Sequence, residues 1–259
     1  EWTNEKLFYN QYKRLNSYFA NCELTPTGLP SKEELALLEP FRNEIPKEVF
    51  GESFKSNITK GDGNIRKELS EASNILKKQG WIFENGILVK NGQKFEFEIL
   101  LGSSSMEKVL NPFIKNLGKL GIVAKMRIID EVAYANKVKN FDYDMTIRNF
   151  RVSLSPGNEQ KNYWGSEASN ILGSNNYIGI KSPAVDSMIN HIITAKNRDN
   201  LIVAVKALDR ILMNNYYVVP NWYTSVTRVA YWNKFGQLKV WPKYGINILR
   251  VSFENGNKS

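Results

Sequence analysis

The alternation of hydrophobic and polar residues predicts a central β-α-β-α-β segment. In residues 94–101, Phe95, Phe97 and Ile99 alternate with Glu96 and Glu98, which indicates a half-buried strand. The next helix, up to Gly121, has an apolar face formed by Val109, Leu110, Phe113, Ile114, Leu117 and Leu120. A strand over 122–130 follows, with Ile122, Ala124, Met126 and Ile128 inward, then a helix over 131–139 and a strand over 143–150. This order implies parallel strands.

Helices and turns are also predicted on both sides of this segment. Ser31 begins a capping box, and Pro40 ends that short helix. A helix over 64–79 ends at Gly80, and its apolar stripe is Ile65, Leu69, Ala72, Ile75 and Leu76. Two Asn-Gly turns, at 85–86 and 91–92, predict a strand meander. Ser182-Pro183 starts one later helix and Asp199 caps another, before an extended aromatic segment over 216–223 and a strand near 228–232.

The helix after residue 102 has one predicted irregularity, at Pro112. Ser105 is the candidate cap, but Pro112 then lies too deep for the first turn, which predicts a kink or a later start.

The loops over 102–105 and 149–159 both leave the carboxyl edge of the parallel strands, where ligands bind in such sheets. We expect the two polar loops to lie side by side; ordinary solvated connections are the alternative.

Composition and charge leave two classes of partner open. Hydrophobic content of 42% is typical of a globular chain, and no apolar run approaches the roughly 20 residues of a membrane span. The net charge of +9 raises nucleic acid or an anionic surface as a partner. Residues 1–100 carry 14 basic and 15 acidic side chains and residues 101–259 carry 21 and 11, without adjacent cations in the second part. A basic nucleic-acid-binding module therefore stays an alternative that lacks its usual run of charge.

A search for catalytic groups finds no convincing set, so we expect a protein that is not an enzyme and uses no cofactor or metal. Ser105 and Lys108 match the S-x-x-K pattern of penicillin-binding enzymes, but no S-D-N or K-T-G partner follows. A serine hydrolase on these two residues is a third alternative. The single His191 and single Cys22 are too few for a zinc site, and both are expected to be structural. Asp142 and Asp144 could be paired carboxylates, but a solvated strand start is the simpler interpretation.

Several stretches resemble one family of binding proteins. They are SYFANCELTPTGLPSKEELALLEPFRNEIPKEVF, FDYDM, SLSPGNEQ with the following YWGS, GIKSPAVDSMI and YYVVPNWY. Together they resemble the extracellular solute-binding proteins of family 5, which serve peptide-importing ABC transporters, and in particular the Yej-type subgroup.

The resemblance implies an α/β fold of the periplasmic-binding-protein type II, with a mixed sheet and flanking helices. The chain would be the C-terminal part of a two-lobed monomer, with residues 1–215 forming the second lobe and residues 216–259 returning towards the first. The function implied is capture of a peptide or peptide-derived ligand in the periplasm and its delivery to inner-membrane ABC permease subunits. We expect the first lobe and a signal peptide to precede this chain.

The resemblance and the polar loops together suggest a set of ligand-binding residues. Relatives offer an aspartate to the peptide amine from the loop that matches 149–159, which has no aspartate here, so Glu159 is a possible substitute. Arg148 and Arg151 replace the small or neutral residues expected there and favour an anionic ligand; a surface role is the alternative. The candidates are Asn149, Arg151, Ser153, Ser155, Asn158 and Glu159, with Tyr163, Trp164 and Tyr177 as flat walls and Ser103, Ser104 and Ser105 as donors.

Overall fold

The structure is a computed structural model that describes residues 1–226, 228, 230, 235–236 and 253–254. The helices within these residues are α1 (Trp2–Phe8), α2 (Lys32–Leu38), α3 (Arg66–Lys78), α4 (Glu107–Lys119), α5 (Glu131–Lys139), α6 (Glu159–Trp164), α7 (Pro183–Ile193) and α8 (Arg198–Asn214). The strands are β1 (Lys13–Arg14), β2 (Ile82–Glu84), β3 (Ile87–Lys90), β4 (Gln93–Lys94), β5 (Glu96–Leu101), β6 (Val123–Ile128), β7 (Met145–Thr146), β8 (Trp222–Tyr223), β9 (Phe235–Gly236) and β10 (Phe253–Glu254). No described helix is both long and apolar enough to cross a membrane.

The predicted β-α-β-α-β segment is confirmed as a parallel sheet with the strand order β6-β5-β7. Ile99 of the central strand is paired with Met126 on one side and Met145 on the other. Ile99, Leu101 and Leu110 form the buried centre of the cluster between sheet and helices. The carboxyl ends of β5 and β7 are therefore adjacent, as expected. Ile128, predicted to face inward, is 41% exposed at the end of β6, which is an edge strand of this sheet among the described residues.

The third strand is shorter than predicted. Only Met145 and Thr146 pair with β5, instead of the whole of residues 143–150. Before them, the Tyr143 hydroxyl donates to the carbonyl of Tyr177 at 2.7 Å. After them, Phe150 packs against the helical core described below. The two ends of the predicted strand are thus held by other elements than the sheet.

The meander next to this sheet follows the prediction. Asn85 and Gly86 have φ angles of 48° and 86°, and Asn91 and Gly92 have 52° and 77°, as type I′ hairpin turns require. The turns join β2, β3 and β4 into a three-stranded antiparallel sheet. Leu88 of β3 donates its amide to the carbonyl of Gly121, which anchors the meander to the end of α4.

A larger hydrophobic core lies between α2, α7, α8 and the segments around residues 17–50 and 164–180. Its fully buried residues include Phe19, Leu38, Met188, Leu208 and Ile211. The predicted inward faces of α7 and α8 supply most of it. Cys22 is partly buried at its edge, with no bonding partner for a disulfide, as expected of a structural residue.

Helix starts follow the sequence in two cases and differ from it in two. Ser31 and Ser182 cap α2 and α7 as predicted, through Glu34 N and Val185 N. Helix α8 is capped by Asn197, which accepts from Asn200 N at 2.9 Å, and Asp199 instead lies in the first turn. Ser105 does not cap α4, because a 3-10 turn over Ser104–Met106 precedes the helix and moves its start to Glu107. Pro112 still lies inside α4 after this later start.

Helix α3 is the least buried of the predicted helices. It begins and ends close to the predicted bounds, and Gly80 after it has φ of 84°. None of its residues is buried, and Ile75 of the predicted apolar stripe is 62% exposed. The stripe is present in the sequence, but the described part of the chain does not cover it.

The side chains of Arg210 and Asp209 on α8 bind residues near the start of the chain. Arg210, 1% exposed, donates to Glu34 of α2 at 2.7 Å and to the carbonyls of Gly28 and Gly51 at 3.0 and 3.1 Å. The neighbouring Asp209 accepts the Tyr18 amide at 2.7 Å. Burial raises the pKa of Asp209 to about 7, although the bond from Tyr18 opposes this rise. Residues 17–51 are therefore fixed to a helix near the other end of the described chain.

The segment after residue 215 returns to the beginning of the chain, where β8 pairs antiparallel with β1. The Trp222 ring packs on Phe8 at 4.8 Å. The strand predicted near 228–232 and the aromatic tail over 239–253 lie almost entirely outside the described residues.

Candidate functional site

An open hollow of about 450 Å³ lies at the carboxyl edge of the parallel sheet. It is bordered by the ends of β5 and β7, the 3-10 turn before α4 and the first turn of α5. The lining residues are Leu101, Gly102, Ser103, Met106, Glu131, Tyr134 and Ile147. This is the edge at which the sequence predicts a site, because the carboxyl ends of parallel strands meet there.

The wall of this hollow depends on a close approach between Gly102 and Tyr134. A Cβ atom on Gly102 would lie 2.9 Å from two atoms of the Tyr134 ring, so a side chain there would displace the ring. The Tyr134 hydroxyl lies 3.0 Å from Thr146 Oγ1, and Thr146 Oγ1 donates to the Leu100 carbonyl at 2.9 Å. Helix α5 is thereby fixed to both strands, and one edge of the Tyr134 ring borders the hollow.

The serine loop brings one of its three predicted residues to this hollow. Ser103 lines it, and the hydroxyls of Ser103 and Ser105 are 2.9 Å apart. Ser103, Ser104 and Ser105 are all exposed and thus open to a ligand. Ser105 has no hydrogen bond to Lys108, which is also exposed, in the described structure, so the S-x-x-K pattern is not assembled into a nucleophile and base.

The loop over 149–159 leads to a second hollow. Ser155 and Gly157 line an open space of about 340 Å³ together with residues of the α7–α8 corner, among them Lys196 and Arg198. The two hollows have no lining residue in common. The predicted residues Asn149, Arg151, Ser153, Asn158 and Glu159 are exposed and line neither.

Local bonds explain two of the polar side chains in this loop. Both carboxylate oxygens of Glu159 accept the amide of Gly157 at 3.0 Å. The Ser153 hydroxyl accepts the amide of Ser155 at 3.0 Å. Glu159 therefore already stabilises its own turn, which weakens its role as the substitute for the amine-binding aspartate.

The predicted aromatic walls divide into one buried ring and two partly exposed rings. Trp164 is 1% exposed, and its indole Nε1 donates to Gln160 at 3.0 Å, so it belongs to the hydrophobic core and cannot present a flat face to a ligand. Tyr163 and Tyr177 are half-buried around Phe150, with ring centroids 6.2 and 6.3 Å from its ring. Only these two of the three predicted rings are available as walls.

Arg148, two residues after the end of β7, is held by tyrosines. Its Nη2 donates to the Tyr177 hydroxyl at 2.6 Å, and its guanidinium carbon lies 4.1 Å from the centroid of the same ring. Tyr177 in turn donates to Asn175 at 2.6 Å. Burial disfavours the charge of Arg148, but hydrogen bonds with Tyr177 and Tyr134 outweigh this, so its pKa lies above the ordinary value.

The acidic pair suggested by the sequence does not form. Asp142 pairs with Lys137, and this bond lowers the pKa of Asp142. Asp144 instead accepts the amide of Glu98 at 2.9 Å. No group of three or more His, Cys, Asp or Glu side chains suited to a metal ion occurs among the described residues.

Sequence reasoning missed Glu131 and Tyr134, which line the first hollow from α5. Both stand in the first turn after β6, at the same sheet edge as the two loops that were considered. Applying the strand-edge argument to all three strands would have found them.

Comparison with known proteins places the chain in one group. No family model matches it. An uncharacterized protein y4wM from Sinorhizobium fredii is 41% identical over 253 residues, covering 97% of this chain and 38% of that protein. The probable peptide-binding protein YejA from Agrobacterium fabrum is 38% identical over 250 residues, covering 96% of this chain and 41% of that protein. The chain thus spans about two fifths of the length of the curated relatives it matches.

Solved structures agree on the fold. The oligopeptide-binding protein AppA from Bacillus subtilis, in complex with a nonapeptide, has a TM-score of 0.54 and 20% identity, over 74% of this chain and 39% of that chain. The α/β lobe expected from the sequence is thereby confirmed. The chain is therefore similar along almost its whole length to YejA-type proteins, and it has the fold of a lobe of an oligopeptide-binding protein.

Proposed function

We propose that this chain is the second lobe of a two-lobed solute-binding protein that captures peptides or peptide-derived ligands for an ABC importer. The carrying observation is the 38% identity to a probable peptide-binding protein over 96% of the chain. Residues 1–215 would form the lobe, and residues 216–259 would return towards the other lobe.

The ligand would lie between the lobes and against the carboxyl edge of the parallel sheet. Ser103, Glu131 and Tyr134 would contact it from the first hollow, where hydroxyls and a carboxylate surround a partly apolar surface. The exposed residues of the loop would contribute around this centre; they are Ser104, Ser105, Asn149, Arg151, Ser153, Ser155, Asn158 and Glu159, with Tyr163 and Tyr177 as flat walls. Trp164 is left out because it is buried.

Binding without catalysis fits the site. Neither hollow contains a nucleophile hydrogen-bonded to a base among its described residues. Closure of the two lobes would bury the ligand and present the closed form to the permease subunits. The protein would act in the periplasm, as a monomer, without a cofactor. The nucleic-acid alternative gains no support from the relatives or from the solved structure.

Native mass spectrometry of the whole protein, incubated with a mixed peptide library, tests the proposal. We expect bound peptide masses that are released on denaturation. A protein that retains no peptide from the library would contradict the proposed function. Binding of an oligonucleotide that weakens steeply as salt increases would instead favour the nucleic-acid alternative.

A further inference from the structure

Arg148 is a partly buried cation that no acidic side chain neutralises within the described part of the chain. Its Nε atom is buried and has no hydrogen-bond partner there. The ion pairs found among the described residues do not include it. Its polar contacts are with neutral tyrosine hydroxyls, of which Tyr177 accepts the 2.6 Å bond.

This arrangement is costly for a lobe that has only a structural use for the residue. A charge removed from water is normally paired with an opposite charge, and a buried donor normally has an acceptor. The Tyr177 ring and hydroxyl orient the guanidinium, but they supply no negative charge. A planar guanidinium fixed in this way is well suited to bind a carboxylate through its Nη atoms, since its Nε is buried.

The position of Arg148 points to a ligand as the source of that charge. It follows Ile147, which lines the first hollow, and it stands at the carboxyl edge of the sheet. Arg151, three positions further on, is an internal comparison. It is exposed and has neither a hydrogen bond nor an ion pair in the described structure, so it carries the same charge without the same restraint.

We propose that Arg148, oriented by Tyr177, selects ligands that carry a carboxylate next to the first hollow. This rests on the proposed function and specifies one part of it: a peptide with a free carboxylate should be preferred over the same peptide as an amide. Arg66, an exposed arginine at the start of α3 that lines neither hollow, should not affect that preference and serves as the control.

The test uses the whole protein and two tripeptide libraries of identical composition, one with free carboxyl termini and one with carboxamides. Native mass spectrometry of a mixture of both gives the ratio of retained acid to retained amide for each variant. We expect a ratio of about 10 or more for the unchanged protein and for Arg66→Met, falling to about 1 in Arg148→Met. Arg148→Lys should keep part of the preference, since it retains the charge but loses the fork geometry.

The ratio is internal to each sample, so a general loss of affinity or stability does not imitate the effect. Equal retention of acids and amides by the unchanged protein would overturn the inference while leaving peptide binding intact, and an acidic side chain of the other lobe would then be the partner of Arg148. An undiminished ratio in Arg148→Met would overturn it as well. If neither library is retained, the proposed function fails and this inference fails with it.

Discussion

The chain contains two Arg–Glu pairs that differ in their burial. Arg210 and Glu34 are joined by an Nε–Oε2 bond of 2.7 Å, with side chains 1% and 7% exposed. Arg42 and Glu39 are joined by a bond of the same length, with side chains 50% and 55% exposed. Arg42 also donates from Nη2 to Glu39 at 2.8 Å, whereas Arg210 has a single bond to Glu34, so the second pair compares the same residue types at a different degree of burial.

Replacing Glu34 by Ala leaves the Arg210 guanidinium buried with only two carbonyl oxygens as partners. Loss of one member of a buried pair costs about 3–5 kcal/mol of the free energy of unfolding. Replacing Glu39 by Ala should lower the free energy of unfolding much less, because water solvates Arg42 in both states. Urea unfolding followed by circular dichroism measures both. For a slope of about 2–3 kcal/mol per M, the midpoint should fall by about 1–2.5 M for Glu34→Ala and by clearly less for Glu39→Ala. Similar shifts for the two variants would refute the reasoning.

Three further predictions concern the hollow, the core and a helix start. Gly102→Ala should weaken peptide retention in the native mass spectrometry assay, because its Cβ would lie 2.9 Å from the Tyr134 ring and displace the wall. The pKa of Asp209 is raised to about 7 in the fold, so this carboxyl contributes most to stability below about pH 4 and its contribution is lost as the pH rises through 7. Asp209→Asn should therefore remove that component of the pH dependence of the urea midpoint. Asn197→Ala should lower the free energy of unfolding by about 0.5–2 kcal/mol, and Asp199→Ala by less than about 1 kcal/mol, because only the first caps α8.

Each of these has an outcome that contradicts it. Gly118 lies in α4, and a Cβ added there would have no neighbouring atom of the described chain within 4 Å, so Gly118→Ala should leave binding unchanged. An equal loss of peptide retention in both glycine variants would show a nonspecific effect. A stability profile of Asp209→Asn parallel to that of the unchanged chain would contradict the buried titration. A larger effect at Asp199 than at Asn197 would restore the cap predicted from sequence.

Prediction from sequence succeeded where neighbouring residues determine the structure. The Asn-Gly turns require positive φ at both positions, and few other dipeptides adopt it, so the meander follows directly from them. The serine caps of α2 and α7 each accept a hydrogen bond from the backbone amide three positions later, so the contact is determined by the local sequence. The parallel order of the strands followed from the helices between them.

Prediction failed where the local sequence fits more than one structural role equally well. Both Asn197 and Asp199 can cap a helix, and in the structure α8 begins directly after the first. The apolar pattern over 143–150 suits a strand, but Phe150 is taken up by the helical core instead. Trp164 is apolar, but the periodicity of the sequence does not show whether its ring faces a core or a ligand. For the site, sequence reasoning located the correct sheet edge and Ser103, but it could not measure which neighbouring side chains reach the same hollow.

The bonds from Arg210 to Glu34 and from Asp209 to Tyr18 also affect how the chain folds during synthesis. They join residues 176 and 191 positions apart in the sequence. At about 5–20 residues per second, the ribosome needs roughly 10–35 s to add that length of chain. During this interval the apolar side chains of residues 17–50 have no α8 to cover them. A nascent chain of this protein should therefore depend on chaperones that hold its early segment until α8 has been made.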